Sequence, residues 1–565
     1  MSFLARVGAL PTLGIGISTE YGARRDPDNL DPDALRAAHP DWAAFLEVGV
    51  EVAAGLDADA RAWAAAGRPT THHFLDLNLD EPEDFDAAWL DALRAHVADV
   101  RPAWLCGDAG LWHMGRRERG HMLLLPPVLT DDSARAIGAG VARLRETVGL
   151  EVLPENPPGA AYVGNLHLLD AFARVCEAGD TGMLLDAAHL AIYQRLHGHA
   201  PLTGLDGFPL DRIVEIHVAG GSLRDVDGWV TVEDDHAPDV LPDTWAILSH
   251  VAARAPNLRA VVVECERNPM RAVVPIFREV ERRVAGSAFD LRRRSASGAW
   301  GGGLPAPRNA PGRGGGNGPP PAAHPAAVPR QAVQRAVVRL LHTHRPEGDP
   351  DAPTARLLER LASEGSLTAE ELGWLRAVDP RAWRTDPYRC GRLLAALVDE
   401  FPRAVAAHGQ DMLPFFASDV FDAALRDGGS LAVAFGTWLQ EVGSPEVAGH
   451  ARVETAVAAC RRARGPADAV PGARMVRLAP GCACVAGPLP PPHPAEGHVL
   501  VRVDSAGHAS VEGLPDALAV LLAAATRPTA RAELERLARA GGADPGEDRE
   551  IVDELVADGI LTGWA

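Results

Sequence analysis

The first 290 residues alternate between two periodicities. Short, nearly continuous apolar runs stand at 14–18, 45–48, 71–75, 104–106, 150–153, 182–185, 212–217 and 260–263. Between them lie stretches with apolar residues every three or four positions, as at 85–97, 133–147 and 166–178. A continuous apolar run predicts a strand buried on both faces, and the longer spacing predicts a helix packed along one side. Eight such strands alternating with helices predict an α/β architecture, a (β/α)8 TIM barrel over residues 1–290. The pattern then stops. Residues 291–331 turn into a Gly/Pro-rich stretch with almost nothing to pack, which predicts a flexible to semi-extended linker. From 332 to 465 the helical period returns, as in RLLERLASE and RLLAALVDEF, and predicts a helical domain. In the last part, 466–565, the segments ARMVRLAP, CACVAGP and HVLVRVDS alternate like strands. Amphipathic helices follow at 514–525, 529–540 and 549–558, and together these predict a small winged-helix-like α+β module.

Composition narrows the function classes. The chain of 565 residues carries 76 acids against 55 bases, a formal charge of −21, which repels phosphate backbones and anionic lipid. Neither a nucleic acid nor a membrane is therefore expected as partner. All 55 bases are arginine, and the absence of lysine excludes Schiff-base chemistry and a Walker-type phosphate grip by a lysine of this chain. Seven scattered cysteines make no disulfide framework. The first residues do not read as a signal peptide, and the longest apolar run, near 517–525, is helix-sized. These features predict a soluble, cytoplasmic protein.

The candidate chemistry sits at the C-terminal ends of the predicted strands. Glu155, Asp186, His217 and Glu264 follow one another at separations of 31, 31 and 47 residues, and a βα unit takes about 30. His189 follows Asp186 closely, and the longer last gap holds Asp235 and His236. His73 lies in the third strand, Asp108 just past the fourth, and Asn156 beside Glu155. Taken singly, an acid after a strand is more often a helix N-cap or a solvated loop residue. Taken together, these side chains converge on one face, and so many buried carboxylates and imidazoles call for cations. Nitrogen and oxygen donors without thiolate favour iron, manganese or zinc, and their number exceeds the needs of one ion. His113, Arg116 and His121, around the basic GRRERG, are candidates to bind a substrate carboxylate, or else face water.

The segments GIGISTEY, FLEVGVE, THHFLDLNL, LPENPPG, GMLLDAAHLAIY, DRIVEIHVAGG, DDHAPDV and VVVECERNP run in order from about residue 13 to 269. They resemble the multinuclear non-haem iron-dependent oxidases that modify ribosomally made peptides, among them the methanobactin oxazolone-forming enzyme. The resemblance implies a barrel similar to xylose isomerase that holds two or three irons in a mixed-valent Fe(II)/Fe(III) cluster. His73, Glu155, Asp186, His217, Asp235, His236 and Glu264 would be ligands, with O2 as co-substrate. Many relatives carry an imidazole directly after the equivalent of Asp108, where this chain has Ala109. They also carry an Asn pair where it has Ala187-Ala188-His189, which makes His189 a plausible ligand.

The resemblance further implies a precursor peptide as substrate, modified at cysteine, and a leader-recognition protein, separate or fused. The last module resembles such a recognition element, which would take the leader as an added strand. A linker would keep a fused module at high effective concentration. Two other readings compete. One is a zinc-, manganese- or magnesium-dependent isomerase or hydrolase on the same barrel, and the other is a metal-binding scaffold that recruits a second protein.

Overall fold

In a computed structural model the protein is described over residues 1–20, 29–52, 54–114, 118, 121–296, 328–342, 351–385, 389–463, 473–489, 491, 497–504 and 507–564. The predicted linker falls largely outside these residues, as does Arg116. Among the described residues, no helix is long and apolar enough to cross a membrane. The chain divides into two compact units, Met1–His113 with Met122–Arg389, and Met114–His121 with Cys390–Ala565.

Among the described residues the first unit carries nine strands: β1 (Gly14–Glu20), β2 (Leu46–Val50), β3 (Thr70–Phe74), β4 (Leu105–Asp108), β5 (Val152–Glu155), β6 (Met183–Asp186), β7 (Ile213–Val226), β8 (Trp229–Ala237) and β9 (Ala260–Glu264). Parallel pairing runs from β1 through β6 in order, then to β7, β9 and back to β1, so eight strands close on themselves. All eight predicted strands are present. The difference lies in β7, which runs nine residues beyond the predicted end at 217 and turns into an antiparallel hairpin with β8. The hairpin falls in the long gap before the last predicted strand, where Glu233–His236 is polar throughout and shows no apolar run.

Closure sorts side chains by parity. Alternate residues of each strand point into the barrel and stack in layers. The floor holds Phe45, Trp104, Leu153, Leu184 and Val262, and Phe3 and Val7 of the N-terminal segment pack against it. Gly16 makes room there, since a Cβ at its position would lie 2.4 Å from the Phe45 ring. The opposite faces of the strands join a second, larger core beneath the outer helices, among them Asp131–Val148 and Leu168–Gly179.

The expected domain borders and the compact units differ. Helix Ala288–Ala296 continues past residue 291, and helices Val328–His342, Ala352–Glu364 and Ala369–Ala377 group with the barrel unit. In the second unit, helices Pro402–His408, Asp419–Asp427, Leu431–Val442 and Pro445–Arg462 surround an aromatic cluster of Phe401, Phe415, Phe421, Phe435 and Trp438. Its remainder carries β10 (Met475–Leu478), β11 (Cys482–Ala486), β12 (His498–Val503), β13 (Ala509–Leu514), β14 (Thr529–Ala530) and β15 (Leu561–Trp564). These form two three-stranded sheets, in orders β14-β10-β15 and β11-β12-β13. Helices Asp516–Ala524, Arg531–Ala540 and Glu547–Ala557 follow the predicted positions closely.

Candidate metal centre

The strand ends bring acids and imidazoles together inside the barrel mouth. His73 comes from β3, Asp108 from β4, Glu155 from β5, Asp186 from β6, His217 from β7 and Glu264 from β9. Each is at most 9% exposed. Glu155 is central: its Oε2 lies 2.7 Å from His73 Nε2, and its Oε1 lies 3.4 Å from His217 Nδ1 and 3.6 Å from His189 Nδ1. His217 Nδ1 is also 3.2 Å from Glu264 Oε1 and 4.0 Å from Asp186 Oδ2. Asp108 reaches His73 Nε2 and His189 Nδ1, each at 4.0 Å.

Asp186 has two jobs. One oxygen caps helix Ala187–Leu196 by accepting from the His189 N–H at 2.5 Å, which seats His189 in the first turn facing the pocket. The other oxygen has no hydrogen-bond partner. Asn156 is spent on holding Asp186, since its amide oxygen accepts from the Asp186 N–H and its amide nitrogen donates to the Asp186 carbonyl, both at 3.0 Å. The Asn156 carbonyl accepts from His189 Nδ1 at 2.8 Å. Ala109 is buried in the outer apolar core, so β4 contributes Asp108 alone. The imidazoles nearest that carboxylate are His73 and His189.

The hairpin supplies the last donors. Between Gly220↔Ala237 and Ser222↔Glu233 the register skips, so that β8 spends two more residues than β7 and bulges over 234–236. A bulge re-aims side chains, and this one turns Asp234 and His236 to the pocket. Asp234 Oδ2 lies 3.0 Å from His189 Nε2 and 3.9 Å from His236 Nε2. Asp235 instead accepts from the Ala237 N–H. The acid that meets His189 is therefore Asp234, where the sequence reading placed Asp235. His236 adopts φ +54°, a left-handed conformation that costs a non-glycine residue about 1–2 kcal/mol and that is found where function requires it.

Several further acids were not anticipated. Glu47 on β2 contacts His217 Nε2 at 3.2 Å, and Glu266 contacts His236 Nδ1 at 2.7 Å. Glu215 and Cys106 lie one layer below His217 and Asp108, two residues earlier on the same strands. Trp104 Nε1 donates to Glu215 at 2.7 Å, and the Cys106 thiol donates to Glu47 at 3.1 Å. Strand parity carried the signal, for a polar residue two positions before an inward-facing donor must also face inward.

The electrostatics reflect this crowding. Burial alone would lower His73, but the hydrogen bond to Glu155 and the surrounding carboxylates hold it at about 9. Burial, followed by the Glu155 charge, pushes Asp108 up to about 8. Burial and then the Glu47 charge raise Glu215 to about 8. Burial would raise Glu155 too, yet the His217 and His73 imidazoles carry it below its ordinary value. Asp108 Oδ1, Glu155 Oε1, Asp186 Oδ2, His217 Nδ1, Asp234 Oδ1 and Glu264 Oε2 are buried without a hydrogen-bond partner. Buried polar atoms are otherwise almost always paired, and these six face a common space whose hard oxygen and borderline nitrogen donors suit divalent or trivalent first-row cations. Among the described residues five groups lie close enough to hold an ion: His73–Asp108–Glu155, Glu155–Asp186–His217, Asp186–His189–Glu264, Glu47–His217–Glu264 and, one layer lower, Glu47–Cys106–Glu215.

The candidate substrate residues lie elsewhere. His113 is fully buried with Nε2 2.8 Å from Asp84, and its carbonyl accepts from Asn78. His121, in the second unit, is buried 3.0 Å from Glu118. Glu118 in turn accepts from Ser430, the Leu431 N–H and Arg462, so this segment is held by a buried ionic network.

A UPF0276 protein from Rhizorhabdus wittichii is 27% identical over 248 residues, 43% of this chain and 83% of the relative. A UPF0276 protein from Anaeromyxobacter sp. is 25% identical over 34% of this chain and 67% of its own length. Among solved structures, endonuclease IV from Thermus thermophilus aligns at a TM-score of 0.31 and 15% identity, over 48% of this chain and 99% of that one. An L-ribulose 3-epimerase aligns at 0.29 and 13%, over 51% and 94%. Residues 30–283 match the family described as RiPP precursor modification enzyme MbnB/TglH/ChrH, where a RiPP is a ribosomally made and then modified peptide. That match spans β2 to β9 and every candidate donor of the pocket.

Proposed function

We propose that this chain is an iron- and O2-dependent oxidase that modifies a ribosomally made precursor peptide at cysteine. The observation that carries the reading is the set of six buried, unpartnered donor atoms converging from β4, β5, β6, β7, β8 and β9 inside a barrel that matches this family. His73, Asp108 and Glu155 would hold a cation on one side, Glu155, Asp186, His217 and Glu264 one at the centre, and His189, Asp234 and His236 one toward the hairpin. Glu155 stands between the first two groups and suits a bridging carboxylate. Bound iron would supply one-electron redox chemistry toward O2, which no side chain here provides.

The chain's own residues set the conditions for that chemistry. The strand-borne donors are almost fully buried, so water is excluded around them, while the Asp234, His236 and Glu266 side chains keep 11–15% exposure. A peptide thiolate would approach from this hairpin side. In the second unit, β13 pairs with β12 on one side only among the described residues, and its side chains are mostly exposed. A leader segment adding there as a further strand would give this chain its own recognition element.

The test is elemental analysis and Mössbauer spectroscopy of protein made with iron, followed by turnover under O2 of any short cysteine-containing peptide found encoded beside the gene. Two or three irons per chain, in part ferrous, with an oxidised peptide product are expected. A single zinc or manganese without iron would overturn the oxidase in favour of an isomerase or hydrolase.

A further inference from the structure

Two imidazoles of the pocket are gripped from behind, by opposite ring nitrogens. His217 has its Nε2 at 3.2 and 3.3 Å from the two oxygens of Glu47, and its Nδ1 faces Glu155 and Glu264 without a hydrogen-bond partner. His236 is reversed: Nδ1 meets Glu266 at 2.7 Å, while Nε2 faces Glu264 at 3.8 Å and Asp234 at 3.9 Å. We propose that Glu47 and Glu266 are positioning residues, which fix the tautomers so that His217 offers Nδ1 and His236 offers Nε2 to the cations. The inference rests on the metal-binding reading above and names residues outside its ligand set.

Both acids are themselves held in place. Glu47 Oε2 accepts from the Cys106 thiol at 3.1 Å and from the Thr71 hydroxyl at 3.4 Å, and Glu266 Oε2 accepts from Ser18 at 3.2 Å. An acceptor fixed by such donors orients an imidazole rigidly, and a carboxylate behind a metal-binding histidine raises its basicity. Glu47 could instead bind a cation itself, since it lies within mutual reach of Cys106 and Glu215, and of His217 and Glu264, although in the latter group both its oxygens already face His217 Nε2 at 3.2 and 3.3 Å. Hydrogen bonding argues against this. The thiol already donates to Glu47 and the Trp104 N–H to Glu215, so only Glu215 Oε1 lacks a partner in that lower layer.

The test is anaerobic titration of the full chain with Fe2+ and with Mn2+, in wild type, Glu47→Gln, Glu47→Leu and Glu266→Gln, beside melting curves without metal. Glu47→Leu should weaken one cation about 10–100-fold, the usual effect of losing an outer carboxylate. Glu47→Gln should weaken it less, because the amide oxygen still accepts from Nε2–H, and it guards against a leucine variant that fails to fold. Glu266→Gln should weaken a different cation and leave the first unchanged, with the metal-free melting temperature retained. A purely structural role would instead lower the melting temperature and spare affinity. If wild type binds and both Glu47 variants bind within twofold of it, this inference is overturned alone. If wild type binds neither cation, the metal reading falls and takes the inference with it.

Discussion

Glu155→Gln is the substitution that tests the pocket most directly. Seven carboxylates (Glu47, Asp108, Glu155, Asp186, Asp234, Glu264 and Glu266) pair there with four imidazoles (His73, His189, His217 and His236). With every one of these groups ionised the site would keep three negative charges in excess, so cations should stabilise the barrel. A cation at 100 times its dissociation constant adds about 2.7 kcal/mol. For a domain of roughly 250 residues that raises the melting temperature by roughly 5–10 °C. The glutamine keeps an oxygen for His73 but gives up the carboxylate that, against burial, the His217 and His73 imidazoles hold below its ordinary pKa. Metal-free stability should therefore fall, and each metal increment is read from the variant's own metal-free baseline. The substitution also removes the donor shared by two ion groups. A 100-fold loss of affinity at the same metal concentration would leave about 0.4 kcal/mol, or roughly 1 °C. Differential scanning calorimetry with and without Fe2+ under argon measures both quantities. A variant that keeps the full wild-type increment would refute the placement of Glu155 at the centre of the site.

Three further outcomes are expected. Burial would raise Glu118, but His121, Arg462 and Ser430 bring it down to about 2, so its stabilising contribution is complete above about pH 4.5 and is lost as pH falls toward 2. Glu118→Gln should therefore cost up to about 3 kcal/mol at neutral pH, with the gap to wild type closing as pH falls below 4.5 in thermal melts. His236→Val, which places a β-branched residue at φ +54°, should be roughly 1–2 kcal/mol less stable than His236→Asn, whose side chain tolerates that backbone, as urea midpoints would show. Gly140→Ala would set a Cβ 1.8 Å from the Leu79 carbonyl oxygen, and overpacking against rigid backbone should cost about 1–3 kcal/mol, read as a lower barrel melting temperature.

The barrel was legible because its strands are buried on both faces, so continuous apolar runs marked them all. The donors at β3, β5, β6, β7 and β9 were legible for a related reason: strand length and helix length repeat, and so does the place of each donor. What escaped notice obeyed the same geometry at finer scale. Glu47, Cys106 and Glu215 sit inside apolar runs, where an isolated polar residue reads as noise unless strand parity is applied from a known inward neighbour. Asp234 and Asp235 are adjacent and chemically alike, and only alternation along β8 pairs Asp234 with His236. Asp186 shows that a helix cap and a donor can be one residue, since its two oxygens serve different partners. His113 and His121 were misleading because a polar sequence context suggested solvent, whereas both lie buried against carboxylates.

The hairpin of β7 and β8 divides the pocket by the work needed to disturb it. A donor on the barrel wall rides on a strand paired on both sides in a sheet closed on itself. Asp234 and His236 ride instead on a two-stranded arm whose ladder can be given up without breaking closure. A cation held between them and His189 would therefore be the first to exchange with a chelator, and the last to be captured as the protein fills. Partly loaded protein should then hold its ions in an order set by topology, with wall sites filled before the arm, whatever the intrinsic preferences of the metals.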